Sequence, residues 1–208
     1  MHYPSPLQRD DLLMDTLNQL LANLTSGNEP QAEAAAVQMI HHGKPAISAL
    51  VNLARDPDPD TRWWAIRALS EFDDPDASSI FIHALEDKNP EIQACAALSL
   101  RLNPNPKAIP QLISLLGNPD QLLSRLAGGA LIALGFQATQ ALINVIESPD
   151  NMNQRSRVEA VRALSEIQDP ASITTLFNIY QDGSRMMQHW AEQGLNRMGM
   201  GMVFFDPN

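Results

Sequence analysis

Cysteine is nearly absent from this sequence, since Cys95 is the only one among its 208 residues. A single cysteine excludes an internal disulfide and favours a reducing compartment, so we expect a cytoplasmic protein. The sequence also lacks an apolar run of about 18 residues, and we therefore expect no membrane-spanning helix. Residues 1–10 have neither the basic nor the apolar region of a signal peptide.

Basic residues are scarce relative to acidic ones. The chain has 14 Lys and Arg against 24 Asp and Glu, which gives a formal net charge of −10. Nucleic acids and anionic membrane surfaces attract proteins through clusters of basic side chains. We therefore expect neither as a partner.

Patterns that would carry catalysis or bind a metal are also missing. There is no glycine-rich phosphate loop and no recognisable pairing of a nucleophile with a base. Cys95 stands beside Ala96 on a face predicted to pack, where a thiol is a poor nucleophile. The histidines lack metal-ligand spacing: they are His2, His41, His42, His83 and His189. We predict no catalytic residue, no metal site and no cofactor, and leave enzymatic activity uncertain.

Against these absences stands an internal repeat. The stretch from Thr61 to Pro75 includes a segment that is nearly copied, 95 residues later, by Val161-Arg-Ala-Leu-Ser-Glu-Ile-Gln-Asp-Pro170. Two copies of so specific a string indicate a duplicated structural unit.

The period is clearest at six alanines, each followed four residues later by Leu or Ile. These pairs are Ala36 and Ile40, Ala65 and Leu69, Ala96 and Leu100, Ala130 and Leu134, Ala160 and Leu164, and Ala191 and Leu195. Residues four apart lie on one helical face, and small residues let neighbouring helices approach closely. We expect this face, including Met39 and Ile40 in the first repeat, to point inward.

A second apolar helix follows each of the first five alanine helices. The predicted ranges are Pro45–Arg55, Asp76–Glu86, Lys107–Leu116, Ala138–Glu147 and Ala171–Tyr180. Turns rich in Asp, Asn, Pro and Gly separate the helices, because Asp and Asn cap helix starts and Pro is tolerated in the first turn. The predicted fold is all-α: an α-α superhelix of five helix pairs with terminal capping helices.

We expect a single domain over residues 1–208, with a capping helix in 1–28, repeats in 29–199 and a tail in 200–208. The first helix, from Asp10 or Asp11 to about Asn23, has an apolar stripe from Leu13 to Leu24. This helix covers the open end of the first repeat or, alternatively, binds a partner. The tail, with Val203, Phe204 and Phe205, either folds back over the last helix or serves as a docking segment.

The string Arg62-Trp-Trp-Ala-Ile-Arg-Ala-Leu69, with Asp74-Pro75 behind it and Asp87-x-Asn-Pro-Glu91 at the next turn, resembles HEAT repeats. It is most similar to the short repeats of the E and F subunits of phycobilisome bilin lyases, and the resemblance covers roughly residues 30 to 199. It implies an α-α solenoid. It also implies a lyase subunit that pairs with a second HEAT-like chain and attaches an open-chain tetrapyrrole to a cysteine of an antenna protein.

The second helices carry a column of polar residues, which we call the polar ladder: Asn52, His83, Ser114, Asn144 and Asn178. Second helices line the concave side of a solenoid, so we expect these residues to form a protein-binding surface. Asn and Ser hydrogen-bond a partner's backbone with little rotamer entropy to lose. The alternative is that the ladder is only the solvated side of each helix.

Two further features concern exposed or charged side chains. Trp63 is a candidate surface aromatic for protein binding, although partial burial against the first repeat fits it equally, whereas Trp64 is expected to pack. Four arginines occupy two columns, and we expect them to pair with acids in neighbouring turns such as Asp58, Asp60, Asp73 and Asp74. These arginines are Arg62, Arg157, Arg67 and Arg162.

Three functions fit these observations. The first is a cytoplasmic protein-binding scaffold or adaptor, since the chain has repeats but no catalytic pattern. The second, from the resemblance, is a bilin lyase subunit or phycobilisome-handling factor. The third is an assembly factor for a metallocentre, with Cys95 and exposed histidines as transient ligands.

Overall fold

The structure, a computed structural model, describes residues 6–148 and 153–200, and the side chains of residues 13–148 and 153–200. All regular secondary structure in this part of the chain is helical. The chain divides into two compact units, Met1–Ser99 and Leu100–Asn208. The expectation of a single domain over residues 1–208 stays a prediction.

Six helices begin in the first unit. They are α1 (Pro6–Leu24), α2 (Glu29–Gln38), α3 (Lys44–Leu53), α4 (Pro59–Leu69), α5 (Pro75–Ala84) and α6 (Pro90–Leu102), whose last turn lies beyond the unit's end. Helix α1 packs on α2, α2 on α4, and α3 on both α4 and α5. First helices of the repeat therefore contact first helices, and second helices contact second helices.

Six further helices lie in the described residues of the second unit. They are α7 (Ile109–Leu115), α8 (Gln121–Leu134), α9 (Phe136–Glu147), α10 (Gln154–Ile167), α11 (Ile173–Asp182) and α12 (Arg185–Arg197). Short 3-10 turns, Pro106–Ala108 and Pro170–Ser172, lead into α7 and α11. Helix α10 packs on α8 and α12, and α7 packs on α9. The described residues thus contain the five predicted helix pairs, preceded by α1 and followed by α12.

Polar caps set most of the helix starts, as the turn composition predicts. The side chains of Asn28, Asp58, Asp120 and Asn153 each accept a hydrogen bond from a backbone N–H in the first turn of the helix that follows. Such a bond satisfies one of the four N–H groups that a helix start leaves without an intrahelical partner. The turns that contain Asp, Asn and Pro therefore separate the helices at the positions that the sequence predicts.

The alanine column is buried throughout. Every one of the six alanines is 0% exposed: Ala36, Ala65, Ala96, Ala130, Ala160 and Ala191. The paired leucines from Leu69 to Leu195 are also buried, at 4% exposure or less. The predicted inward face of the first helices is confirmed for five of the six repeats.

The first repeat departs from this pattern at Ile40. Ile40 is 45% exposed, whereas Met39 is 0% exposed. Helix α2 ends at Gln38, and Met39–His42 continues as a 3-10 helix. A 3-10 helix has about three residues per turn, so the tighter winding turns Met39 into the core and Ile40 out of it. The prediction that Ile40 faces inward is therefore wrong.

Helix α1 covers one end of the first unit. Leu17, Leu20 and Leu24 are buried in this helix, which packs on α2, and its role as a cap stays a prediction. Leu13 is 55% exposed and does not belong to the packed stripe, contrary to the prediction. Val203, Phe204 and Phe205, for which a fold-back or docking role was expected, lie outside the described residues.

Candidate protein-binding surface

In the first unit, the ladder residues lie on the two adjacent helices α3 and α5. Asn52 and His83 are exposed, as are Ser48 and Ser79 one turn before them. The opposite sides of the same helices are buried, with Leu50 and Phe81 both 0% exposed. The amphipathic pattern therefore orients these small polar side chains toward solvent.

In the second unit, the ladder residues Ser114, Asn144 and Asn178 are all exposed, on α7, α9 and α11. The Ser114 hydroxyl donates to the Gln111 carbonyl oxygen of its own helix at 2.7 Å, so its hydrogen is already used. The Gln140 amide donates to the Asn144 side-chain oxygen at 3.0 Å. Asn144 keeps its two amide hydrogens for another acceptor.

Trp63 lies half-buried at the surface of α4. Its ring packs edge-on against Trp64, with centroids 4.8 Å apart and planes at 86°. Trp64 is half-buried as well, so neither indole is fully exposed or fully covered. The partial exposure expected for Trp63 is present, and its role as a binding anchor stays a prediction.

Arg62 forms a bidentate ion pair with Asp87. Its Nε and Nη2 donate to the two carboxylate oxygens at 3.0 Å each, and its Nη1 donates to the backbone carbonyls of Asp56 and Pro57. Partial burial acts to raise the pKa of Asp87, but the hydrogen bonds from Arg62 and from the Asn89 backbone outweigh it and hold this pKa below its usual value. The partner is an acid in a turn, as expected, although it is Asp87 rather than Asp58 or Asp60.

Two other arginines pair with glutamates, and of these glutamates only Glu71, in the turn after α4, lies outside a helix. Arg67 bonds Glu33 of α2 and Glu71 at i+4. In the second unit, Arg162 donates to Glu159 and to Glu166 at 2.7 Å each. The predicted partners Asp73 and Asp74 are wrong for Arg67 and Arg162. Each of these arginines instead meets a glutamate three or four residues away in sequence, and Arg67 also meets a glutamate of the adjacent first helix.

Arg157 is the exception among the four arginines. Its side chain makes no hydrogen bond or ion pair with any residue in the described parts of the chain, and its Nε is completely buried. The side chain lines a cavity of about 450 Å³ in the second unit. The duplicated sequence gave no sign of this difference, since Arg62 and Arg157 stand at equivalent positions of the repeat.

Cys95 is 8% exposed, and burial raises the pKa of its thiol to about 12, only partly offset by the positive charge of Arg67 and a hydrogen bond involving Ser99. At neutral pH the thiol is therefore protonated and poorly nucleophilic. Over residues 6–148 and 153–200, no cluster of three or more His, Cys, Asp or Glu side chains is arranged to hold a metal ion. Within the same ranges, no helix has both the length and the apolar character needed to cross a membrane.

The fold and this surface define an α-helical repeat protein, and comparison with protein families specifies its type. A model of HEAT repeats matches residues 17–101, and a model of the PBS lyase HEAT-like repeat matches residues 156–178. The chain therefore contains HEAT repeats over residues 17–101 and a repeat similar to the short PBS lyase type at residues 156–178.

Among curated proteins, the chain is similar to protein YibA of Escherichia coli, with 35% identity over 85 residues that cover 40% of this chain and 30% of YibA. It is also similar to the phycobilisome maturation protein of Synechococcus elongatus, with 33% identity over 118 residues covering 56% of this chain and 55% of that protein. The matched part of this chain thus spans 30% of the length of YibA and 55% of the length of the phycobilisome maturation protein.

Solved structures show the same fold. The complex of CpcE and CpcF of phycocyanin lyase from Nostoc matches with a TM-score of 0.53 and 24% identity, covering 88% of this chain and 77% of that one. A designed armadillo repeat protein matches with a TM-score of 0.51 and 16% identity, covering 88% and 99%. At these identities the likeness concerns the fold alone.

Proposed function

We propose that this protein is a binding scaffold or adaptor that holds another protein against the exposed sides of its second helices. The observation that carries the proposal is the polar ladder: Asn52, His83, Ser114, Asn144 and Asn178 are all exposed. None of the five is Lys, Arg, Asp or Glu, whereas a face that is only solvated would usually be rich in Lys and Glu. Each unit contributes its own ladder residues.

The chemistry of these residues suits recognition of a polypeptide. Asn offers a donor and an acceptor on a short side chain, so it can bond a backbone amide while losing little rotamer freedom. The amide hydrogens of Asn144 remain available in this arrangement, since only its oxygen is used by Gln140. A partner's extended backbone is the group that matches such donors and acceptors.

Affinity capture with the full chain tests the proposal. The purified chain should retain one defined protein, and Asn144→Arg and His83→Glu should each weaken that binding at least tenfold, about 1.4 kcal/mol. Matched controls place the same charges on exposed first-helix positions, Ala133→Arg and Ala34→Glu, where binding should not change. Unchanged binding by both ladder variants would refute the proposed surface.

A second HEAT-like chain is one partner that we propose, since the resembled lyases act as pairs. Co-expression with such a chain, followed by sedimentation analysis, should show a one-to-one complex larger than either chain alone. We expect this complex in the cytoplasm. Two chains that sediment independently at micromolar concentration would remove the heterodimer while leaving other protein partners open.

The second candidate function is that of a phycobilisome bilin lyase subunit or a phycobilisome-handling factor. It is favoured by the PBS lyase HEAT-like repeat at residues 156–178 and by the 33% identity to a phycobilisome maturation protein. If the chain is an enzyme, bilin attachment is the activity we propose. The absorbance spectrum after incubation with phycocyanobilin, with and without an antenna subunit, tests this function. If the chain neither binds the bilin nor transfers it to the antenna subunit, the lyase function is excluded and the scaffold function stands alone.

A further inference from the structure

A cavity of about 450 Å³ lies in the second unit where the start of α10, the end of α11 and the start of α12 meet. Its lining includes Gln154, Arg157, Asn178, Asp182, Ser184 and Met187. Most of these groups are polar, and one of them, Asn178, belongs to the polar ladder. The cavity therefore opens beside the surface proposed for protein binding.

The guanidinium of Arg157 is the unusual group in this lining. Its Nε is buried without a hydrogen-bond partner, and the side chain forms no ion pair with the described residues. Although the side chain as a whole is only half-buried, this buried N–H is unfavourable without an acceptor, because it loses water and gains no hydrogen bond in return. Such a group is stabilised when an anion reaches it.

The duplicated half of the chain shows what this arginine binds when it is satisfied. Arg62, 95 residues earlier, holds Asp87 through two bonds of 3.0 Å. The residue 95 positions after Asp87 is Asp182, so the sequence conserves both members of the pair within the chain. Only the first copy forms the bond.

Helix length explains why the second copy stays open. Helix α5 ends at Ala84, and Asp87 lies in the turn beyond it, where its carboxylate reaches Arg62. Helix α11 continues three residues past the equivalent point and ends at Asp182 itself. Asp182 therefore stays on the helix, exposed, and forms no ion pair with any residue in the described ranges.

The start of α12 adds a second source of positive potential. Ser184 occupies the N-cap of α12 but makes no side-chain capping bond, unlike Asn28, Asp58, Asp120 and Asn153 at the starts of other first helices. The free N–H groups and the helix dipole of such a start favour an anion. Ser184 and Met187 place this helix start in the wall of the cavity.

We call this cavity the Arg157 pocket and propose that it binds a carboxylate group. The carboxylate pairs with Arg157 in the way that the Asp87 carboxylate pairs with Arg62. Arginine offers a planar pair of donors that matches the two carboxylate oxygens. The side-chain amides of Asn178 and Gln154 supply further donors. The carboxylate belongs either to an acidic residue of a bound protein or to a small organic acid. The proposal does not depend on the polar ladder, because the isolated chain can bind a carboxylate.

Nuclear magnetic resonance of the full chain, with ¹⁵N-labelled arginine, measures this binding at the Nε–Hε signal of Arg157. Sodium acetate at constant ionic strength should shift this signal saturably, with a millimolar dissociation constant, and sodium chloride should not. Arg157→Gln identifies the signal by removing it. Arg185→Gln, which removes an exposed charge from α12 outside the cavity lining, should leave the acetate response unchanged.

Asp182→Asn gives a more specific test, since it removes from the pocket wall a negative charge that would repel acetate. Acetate should then bind severalfold more tightly, while the Arg157 signal without acetate stays where it was. If Asp182→Asn alone shifts the Arg157 signal and acetate binds only that variant, Arg157 is already paired with Asp182 and the proposal is wrong. An Arg157 signal that no carboxylate shifts, in either chain, would also overturn it.

Two probes distinguish the source of the carboxylate. A blocked peptide with a central glutamate is compared with the same peptide containing glutamine, and succinate is titrated separately. Tighter binding of the glutamate peptide than of succinate assigns the pocket to an acidic residue of a protein partner. The reverse order assigns it to a small organic acid, and either result supports a carboxylate site.

Discussion

Gly128 of α8 lies directly against the guanidinium of Arg162 in α10. A β-carbon built on Gly128 would stand 2.7 Å from Nη2 of Arg162 and 3.5 Å from the Glu159 carboxylate. Arg162 and Glu159 are only 6% and 8% exposed. The missing side chain at residue 128 therefore makes the room in which an ion pair is buried between two first helices of the second unit.

Gly128→Ala should destabilise the second unit by about 1–3 kcal/mol, because the added methyl group displaces a guanidinium held by two short bonds. Gly129→Ala is the matched control: its β-carbon would lie 3.6 Å from Arg101 Cδ, an ordinary contact, and alanine favours helix by up to about 1 kcal/mol. Urea unfolding followed by circular dichroism measures both. Equal free energies of unfolding for the two variants would show that the Arg162 guanidinium can move aside without loss of stability.

Removing Arg162 alone should be more damaging than removing the whole pair. Arg162→Met leaves Glu159 buried with only the longer contact to Arg125, at 3.3 Å, and we expect a loss of about 3–5 kcal/mol. Adding Glu159→Leu should recover most of that loss, because an apolar pair needs no compensation for lost hydration. The free energy of unfolding of the single and double variants checks this. A double variant that is less stable than Arg162→Met alone contradicts it.

Gly194 of α12 packs closely against Ser165 of α10. A β-carbon there would lie 2.7 Å from Ser165 Cβ and 2.8 Å from its Cα, so backbone rather than a flexible side chain stands in the way. Gly194→Ala should therefore lower stability by about 3 kcal/mol. The neighbouring Gln193→Ala should change it by no more than about 0.5 kcal/mol. Thermal unfolding that shows the same midpoint for both would contradict this packing.

Cys95 should react slowly while the chain is folded. Since burial raises the pKa of its thiol to about 12, almost no thiolate is present at pH 8, and a disulfide reagent should label it only after unfolding in urea. A native chain that reacts at the rate of a free peptide thiol would contradict the burial.

The same pKa predicts a dependence of stability on pH. The folded chain holds the thiol proton above pH 9.0, where the unfolded chain releases it, so stability should fall as pH rises from about 9 toward about 12. Relative to Cys95→Ala, the loss approaches about 1.4 kcal/mol per pH unit within that window. Parallel pH profiles of the two chains would show that this thiol ionises equally in both states.

Much of the fold follows from the sequence because it depends on local, repeated features. The alanines from Ala36 to Ala191 are buried as their spacing predicts, since a four-residue step on a helix keeps side chains on one face. The exposed ladder follows from the same periodicity. The exposure of Ile40 does not follow from this periodicity, because Met39–His42 winds as a 3-10 helix. That helix ends at Gly43, which adopts φ of 53°.

The sequence by itself determined which segments form helices, where most of them start and which alanines face inward, because caps and periodicity act over a few residues. The start of α1 is an exception, since the helix begins at Pro6 rather than at Asp10 or Asp11. Only the tertiary structure decided which acid each arginine meets. Arg62 and Arg157 stand at equivalent positions of the repeat, yet only Arg62 pairs with its acid, Asp87. Helix α11 is three residues longer at its end than α5, and Asp182 therefore does not pair with Arg157. An ion pair between two long side chains depends on how the helices that carry them are placed, and residues far away in the sequence decide that placement. The local sequence around each arginine therefore does not predict its partner.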